Sequence, residues 1–173
     1  MTDDPSVQRH VSVEGVRLRF AAAHMATLGA ELEPLHGHNY EVHARVDGVL
    51  TGDHWVIDFS ALKRIMREAC ERLDHRFLLQ TRSPLLEITE GSESWSVRHG
   101  DRRYSFPASD IAALPIENTT AELIAEWLWE RAAEALAAGG HLTTLTRLAI
   151  EVEEMPGQSG GYARDLIDLN RPR

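Results

Sequence analysis

Three histidines carry the chemistry most suited to a metal in this chain. They are His24, closing Phe20-Ala21-Ala22-Ala23-His24, and the pair within Leu35-His36-Gly37-His38-Asn39-Tyr40. On an extended strand every second side chain shares a face, so His36 and His38 project together. His24 comes twelve residues before His36 and can bring a third imidazole from a neighbouring strand. Three imidazoles leave a fourth position open, the donor set of a catalytic zinc site; a structural site closes with four ligands, usually including cysteines. A H-x-H pair also arises by chance of composition, and at the level of the motif alone both readings stand.

The elements that must position these residues can be read in order. Val11 and Val13 alternate, and Val16, Leu18 and Phe20 alternate on the other parity, with Gly15 between. A strand over 6–20 with a bulge at the glycine produces such a switch, and His24 continues the second parity. Residues 25–35 read as a loop, and His36 to Asp47 as a second strand that turns at Asp47-Gly48 and Thr51-Gly52-Asp53. His43 falls on the opposite face from His36 and His38, outside the metal set. Trp55 to Phe59 reads as a short strand running into a helix. That helix carries Phe59, Leu62, Ile65, Met66, Ala69, Cys70 and Leu73 at three- and four-residue spacing, with Asp58 or Ser60 as its cap. Cys70 lies on the apolar stripe, where a thiol is a small core residue; a catalytic thiol needs exposure and an electropositive setting. The helix ends near Leu73-Asp74-His75, where a histidine suits the helix C-terminus.

Farther along, Trp95 and Val97, then Tyr104 and Phe106, alternate around His99-Gly100-Asp101 and predict a hairpin, with His99 a solvated turn residue. Thr119 and Glu122 form a capping-box pattern. The helix they open has Leu123, Ile124, Trp127, Leu128 and Ala135 as its stripe and stops at Gly139-Gly140. Leu145 to Val152 is a strand, Pro156-Gly157 and Gly160-Gly161 bracket a turn, and Tyr162 to Leu169 adds a last strand. Grouped antiparallel strands with two helices on one side make an α+β domain.

The 173 residues are most simply one domain, able to bury roughly 70% of its unfolded surface without staples. A single cysteine excludes an internal disulfide and a four-cysteine zinc site. A net charge of −9 argues against nucleic acid or an anionic membrane as partner. Seventeen of the 18 basic residues are arginine, whose planar fork suits phosphate groups. The acidic start Met1-Thr2-Asp3-Asp4-Pro5 has no signal-peptide character, and no apolar run approaches the roughly 20 residues of a membrane helix. The expectation is a cytoplasmic protein.

Six stretches taken together resemble one family along almost the full length. They are Phe20-Ala-Ala-Ala-His24, Leu35-His-Gly-His-Asn-Tyr40, Val56-Ile-Asp-Phe59, Leu73-Asp-His75, Asn118-Thr-Thr-Ala-Glu122 and Val152-Glu-Glu154. In this order they resemble the 6-pyruvoyl-tetrahydropterin synthase and 6-carboxytetrahydropterin synthase family. The resemblance implies a tunnelling fold, an antiparallel sheet backed by two helices, over one domain, 1–173, with an inserted hairpin at about 85–113. It implies an oligomeric barrel, a homohexamer of two trimers with sites at subunit interfaces. It implies zinc on His24, His36 and His38, and a small-molecule pterin substrate held by Thr120, Ala121, Glu122 and Glu154. A carboxylate such as Glu154 can accept two parallel bonds from a pterin edge, although Glu154 is also one of three acids on a strand, and capping alone explains Glu122. Asp74-His75 matches the family's proton-transfer pair.

One departure matters. The pyruvoyl- and carboxy-tetrahydropterin synthases carry a catalytic cysteine shortly before the H-G-H motif; here Gly29-Ala-Glu-Leu-Glu-Pro-Leu35 has none. Glu33 stands three residues before His36, and Glu-x-x-His-Gly-His resembles the branch in which glutamate replaces the thiol. Members of that branch cleave the side chain of dihydroneopterin triphosphate to 6-hydroxymethyl-dihydropterin. The catalytic set implied is Glu33, Asp74 and His75, in a zinc-dependent lyase. The alternatives are a pyruvoyl- or carboxy-tetrahydropterin synthase using another residue for the thiol's role, a zinc- and pterin-binding homologue without turnover, and a hydrolytic zinc site unrelated to pterins.

Overall fold

The longest strand of the computed structural model, which describes residues 9–15 and 18–166, is the one that carries two of the histidines. In chain order the elements are β1 (Arg9–Val13), β2 (Arg19–His24), β3 (Thr27–Leu28), β4 (Glu31–Leu32), β5 (His36–Gly48), α1 (Phe59–Glu71), β6 (Arg76–Gln80), β7 (Glu87–Thr89), β8 (Ser94–His99), β9 (Arg102–Pro107), β10 (Ile111–Leu114), α2 (Ala121–Ala138), β11 (Leu145–Met155) and β12 (Gln158–Asp165). The main sheet runs β10-β6-β2-β5-β11-β12, with β1 also pairing to β5. It is antiparallel from β2 to β12 and parallel where β6 joins β2 and β10. The α+β class holds; the parallel corner comes from β6, a strand that sequence periodicity does not mark.

Alternation along β5 decides the layers. Tyr40, Val42, Ala44 and Val46 are buried beneath the helices, whereas Glu41, His43 and Arg45 face away. α1 buries Leu62, Ile65, Met66, Ala69 and Cys70 on this side, with Asp58 accepting from the Ser60 N–H at its start. Full burial of a Leu, Ile or Met is worth about 1.5–3 kcal/mol before entropy is counted. α2 adds Ile124, Leu128, Trp129 and Leu136, and the Trp129 indole N–H donates to the Leu148 carbonyl at 2.9 Å.

Several expectations are corrected. The single N-terminal strand is two, both against β5: six steps from Val13 to Arg19 face only three from Ala44 to Glu41. The excess is odd, so the parity still flips; Val16 lies outside the described residues. Trp55–Phe59 is not a strand, because β1, β2 and β11 already occupy the edges of β5; Val56 and Ile57 are buried without a ladder. The capping box at α2 does not form, since the Thr119 hydroxyl turns to Gln80 and the helix begins without a side-chain cap. Gly160 and Gly161 lie inside β12, and the turn sits at Pro156-Gly157, where Gly157 takes φ 83°. β12 ends at Asp165, and 167–169 lie outside the described residues. The hairpin at 94–107 gains β7 as a third strand and packs Val97 against Met25, Leu32, Phe77 and Leu79 in a second core. The 25–35 loop contains the short pair β3–β4, and Gly29 turns it at φ 62°. Among the described residues no helix is long and apolar enough to cross a membrane.

Candidate functional site

The register of β2 on β5 sets His24 directly opposite His36 and Ala22 opposite His38. Cross-strand partners share a face, so the three imidazoles converge at the end of the sheet's core side. Their ring nitrogens lie within 4.8 Å of one another. His24 is buried, His38 half-buried and His36 exposed, a gradient that opens the cluster to solvent from one direction.

The neighbours of these rings decide which nitrogens face inward. His24 Nδ1 lies 3.0 Å from the Thr119 carbonyl and His36 Nδ1 lies 2.8 Å from the Pro34 carbonyl, so each donates there. Both Nε2 atoms are then lone-pair acceptors, and they stand 3.2 Å apart. Two lone pairs at that distance repel unless a cation or a proton lies between them. A proton is disfavoured, because burial lowers the pKa of His24 to about 4, with His36 and His38 adding to the burial and only the Thr119 carbonyl opposing it. His38 is lowered too, by burial and by His36, against the pull of Glu33. Tetrahedral zinc with Zn–N of about 2.0–2.1 Å separates its nitrogens by roughly 3.3 Å. The donor set therefore fits a divalent cation, with carbonyls orienting two ligands from behind.

Around the histidines is a cleft of about 430 Å³. Glu33 from the 25–35 loop, Thr120, Ala121 and Glu122 from the start of α2, and Glu154 from β11 all line it. Burial raises the Glu154 pKa, and Glu33 and Glu122 push in the same direction against His36. Sequence reasoning missed Thr27, Gln158 and Gly160 in the lining. At Gly160 a Cβ would meet the Ala121 Cβ at 2.8 Å and the Glu122 nitrogen at 2.9 Å, so the glycine lets β12 close onto the start of α2. Asn118 was read only as a helix start. Its side chain holds Thr27 through both backbone groups, at 2.8 Å each, and accepts from the Thr119 N–H. Glu122 makes no cap and faces the cleft instead.

Asp74 and His75 do not join this cleft within one chain. They line neither its wall nor its floor; His75 opens on the depression on the far side of Gly37 and His38. Asp74 accepts from the Ala21 N–H at 2.9 Å and pairs with His75 Nδ1 at 2.9 Å. Partial burial would raise its pKa, but the Ala21 and His75 bonds outweigh this and lower it. His75 is 82% exposed and has left-handed backbone, φ 55°. A second grouping, Glu41, His43 and Glu153, lies on the outward sheet face, where His43 pairs with Glu14, Glu41 with Arg19, and Glu153 with the Gly157 N–H. Each member already has a partner outside the group. Cys70, on the buried face of α1, is 1% exposed, and burial pushes its thiol up to about 12.

Fold and site together define a tunnelling-fold protein with a candidate metal centre at one end of its sheet. The family model for 6-pyruvoyl tetrahydropterin synthase matches residues 15–165, and the chain belongs to that family of enzymes. The crystal structure of 6-pyruvoyl tetrahydropterin synthase from Plasmodium vivax superposes with a TM-score of 0.87 at 32% identity, covering 92% of this chain and 99% of that one. Two variants of the P. vivax enzyme, with a catalytic glutamate replaced by alanine or by cysteine, superpose equally well at 31% identity. A Methanocaldococcus jannaschii protein provisionally named 6-carboxy-5,6,7,8-tetrahydropterin synthase is 29% identical over 150 residues, 86% of this chain and 91% of its own length.

Proposed function

We propose that the protein is a zinc-dependent lyase that cleaves the side chain of 7,8-dihydroneopterin triphosphate, or of a related dihydropterin, to 6-hydroxymethyl-7,8-dihydropterin. The observation that carries this reading is that a carboxylate, Glu33, and not a thiol shares the cleft with His24, His36 and His38. The one cysteine is buried elsewhere. The catalytic glutamate of the P. vivax relative supports the same role for Glu33.

His24, His36 and His38 would hold the zinc, which when bound supplies Lewis acidity to the hydroxyls of the substrate side chain. Glu154 receives the pterin, its carboxylate accepting the ring N–H and amino group, while Thr120 and Ala121 bracket the ring beside Glu122. Glu33 takes the proton from the C2′ hydroxyl. The C1′–C2′ bond then breaks: C2′ leaves as an aldehyde carrying the phosphorylated carbon, and its bonding electrons pass into the pterin ring. A proton returned to C1′ completes the hydroxymethyl product. His75, oriented by Asp74, is the donor for that proton, contributed by another copy of the chain in a homohexamer, since in one chain the pair opens away from the cleft.

Product analysis from 7,8-dihydroneopterin triphosphate by mass spectrometry tests the assignment. The expected product is 6-hydroxymethyl-dihydropterin, and Glu33→Gln should lower kcat by about 100- to 10,000-fold, the range of a lost general base. A second reading, 6-carboxytetrahydropterin synthase, is favoured by the name of the M. jannaschii relative. Carboxy- or pyruvoyl-tetrahydropterin as sole product would replace the first reading with it.

A further inference from the structure

The loop that carries Glu33 is held from outside the cleft by the β8–β9 hairpin, through one side chain. Arg102, at the start of β9, donates from Nη1 to the Leu32 carbonyl at 2.6 Å and from Nη2 to the Glu33 carbonyl at 2.9 Å. Its Nε donates to the Tyr104 hydroxyl at 2.9 Å, and its guanidinium lies 5.5 Å over the Tyr104 ring, which together orient the fork. His99, at the other end of the same turn, bonds the Ala30 carbonyl at 3.0 Å. On the opposite side of Glu33, the next carbonyl, that of Pro34, accepts from His36 Nδ1. Three successive carbonyls are thus gripped from two sides, those of Leu32 and Glu33 by the hairpin and that of Pro34 by a residue of the histidine cluster. Glu33 itself is exposed, and an exposed loop carboxylate left to itself samples many positions. Charge-assisted bonds to both flanking carbonyls, with Leu32 buried in the second core, fix the backbone from which the carboxylate projects and so narrow that range.

We propose that Arg102 is a positioning residue for Glu33, and that the three-stranded β7–β9 sheet is the brace through which it acts. The proposal rests on the reading of Glu33 as the base. Arg102 touches backbone only on this side, so its loss displaces the carboxylate without removing any group that binds metal or pterin. Misplacement of a catalytic group by about 1 Å costs on the order of 100-fold in rate.

The test is a double-mutant cycle on the zinc-loaded full chain with 7,8-dihydroneopterin triphosphate. Arg102→Ala should lower kcat about 10- to 100-fold, leaving KM and metal content near wild type. Arg102→Lys should recover part of the loss, since an ammonium can hold one carbonyl but not both in a fork. Amide hydrogen exchange should quicken over 27–33 and stay unchanged in β5 and β11. In the Glu33→Gln background, Arg102→Ala should cost less than about twofold, because the group it positions is gone. Should Arg102→Ala lose its fold, Tyr104→Phe loosens the fork while keeping both carbonyl bonds and should show a smaller loss of the same pattern. Wild-type kcat in Arg102→Ala, or an equal loss in both backgrounds, overturns the proposal. A fully active Glu33→Gln enzyme overturns the reading of Glu33 and the proposal with it. A crippled Glu33→Gln beside a normal Arg102→Ala overturns the proposal alone.

Discussion

His24 is the residue on which the site's electrostatics turn. Its ring is buried, it donates to Thr119, and its free nitrogen faces that of His36. Burial holds its folded pKa at about 4, below an ordinary value near 6.5. In metal-free protein the unfolded chain therefore takes up this proton first. The stability is fully present above pH 6.5, falls as pH drops from there to about 4, and levels below; the loss is up to about 3 kcal/mol. Urea unfolding of chelator-treated protein between pH 7 and pH 4 measures it, and His24→Gln should remove that part of the slope. Bound metal, by competing with the proton at the same nitrogen, should flatten the profile in wild type. At this scale the histidine cluster was legible because strand alternation alone relates His36 to His38, and His24 offered a third imidazole from a neighbouring strand. Thr119 and Asn118 were legible only as helix-start residues. Their real work is done toward β2 and the 25–35 loop, and no local pattern encodes a partner ninety residues away.

Elements close the cleft from two sides. The start of α2 and β12 meet at Gly160, where the space a Cβ would need is taken by Ala121 and the backbone of Glu122. Gly160→Ala must push these elements apart and should destabilise the fold by about 1–3 kcal/mol, the range for overpacking. Denaturant unfolding reads that cost, and stability equal to wild type would show that the strand can shift freely. Sequence periodicity found both helices, β5 and β11, since each alternates or repeats against one core face. It failed at β6, a strand buried along Phe77–Gln80 with no polar alternation to announce it. It also failed at Trp55–Phe59, where the residues are strand-like but Val56 and Ile57 are buried without joining a ladder.

At the scale of the whole molecule, the proposed reaction calls for groups that one chain does not bring to the cleft. Among the described residues no lysine or arginine lines the cleft, and Asp74-His75 opens away from it. A hexamer should run in light scattering at about six times the chain mass of 19.4 kDa. Mixing and reassembling Glu33→Gln with His75→Ala chains should restore activity that neither variant has alone, because some sites then draw each intact residue from a different copy. No recovery in verified mixed oligomers would place both groups in one chain. The sequence by itself determined the α+β class, the two apolar helix faces, the three imidazoles on one side of a sheet and the presence of a carboxylate where a thiol was expected. The first three follow from short-range periodicity or residue type; the expectation of a thiol, which the carboxylate departs from, came with the family resemblance. The tertiary structure alone decided that Glu33, Glu154 and the start of α2 share one cleft, that Gly160 allows it to close, and that Arg102 bonds the Leu32 and Glu33 carbonyls. Those relations join segments tens of residues apart, and they exist only once strand register and packing have brought the segments together.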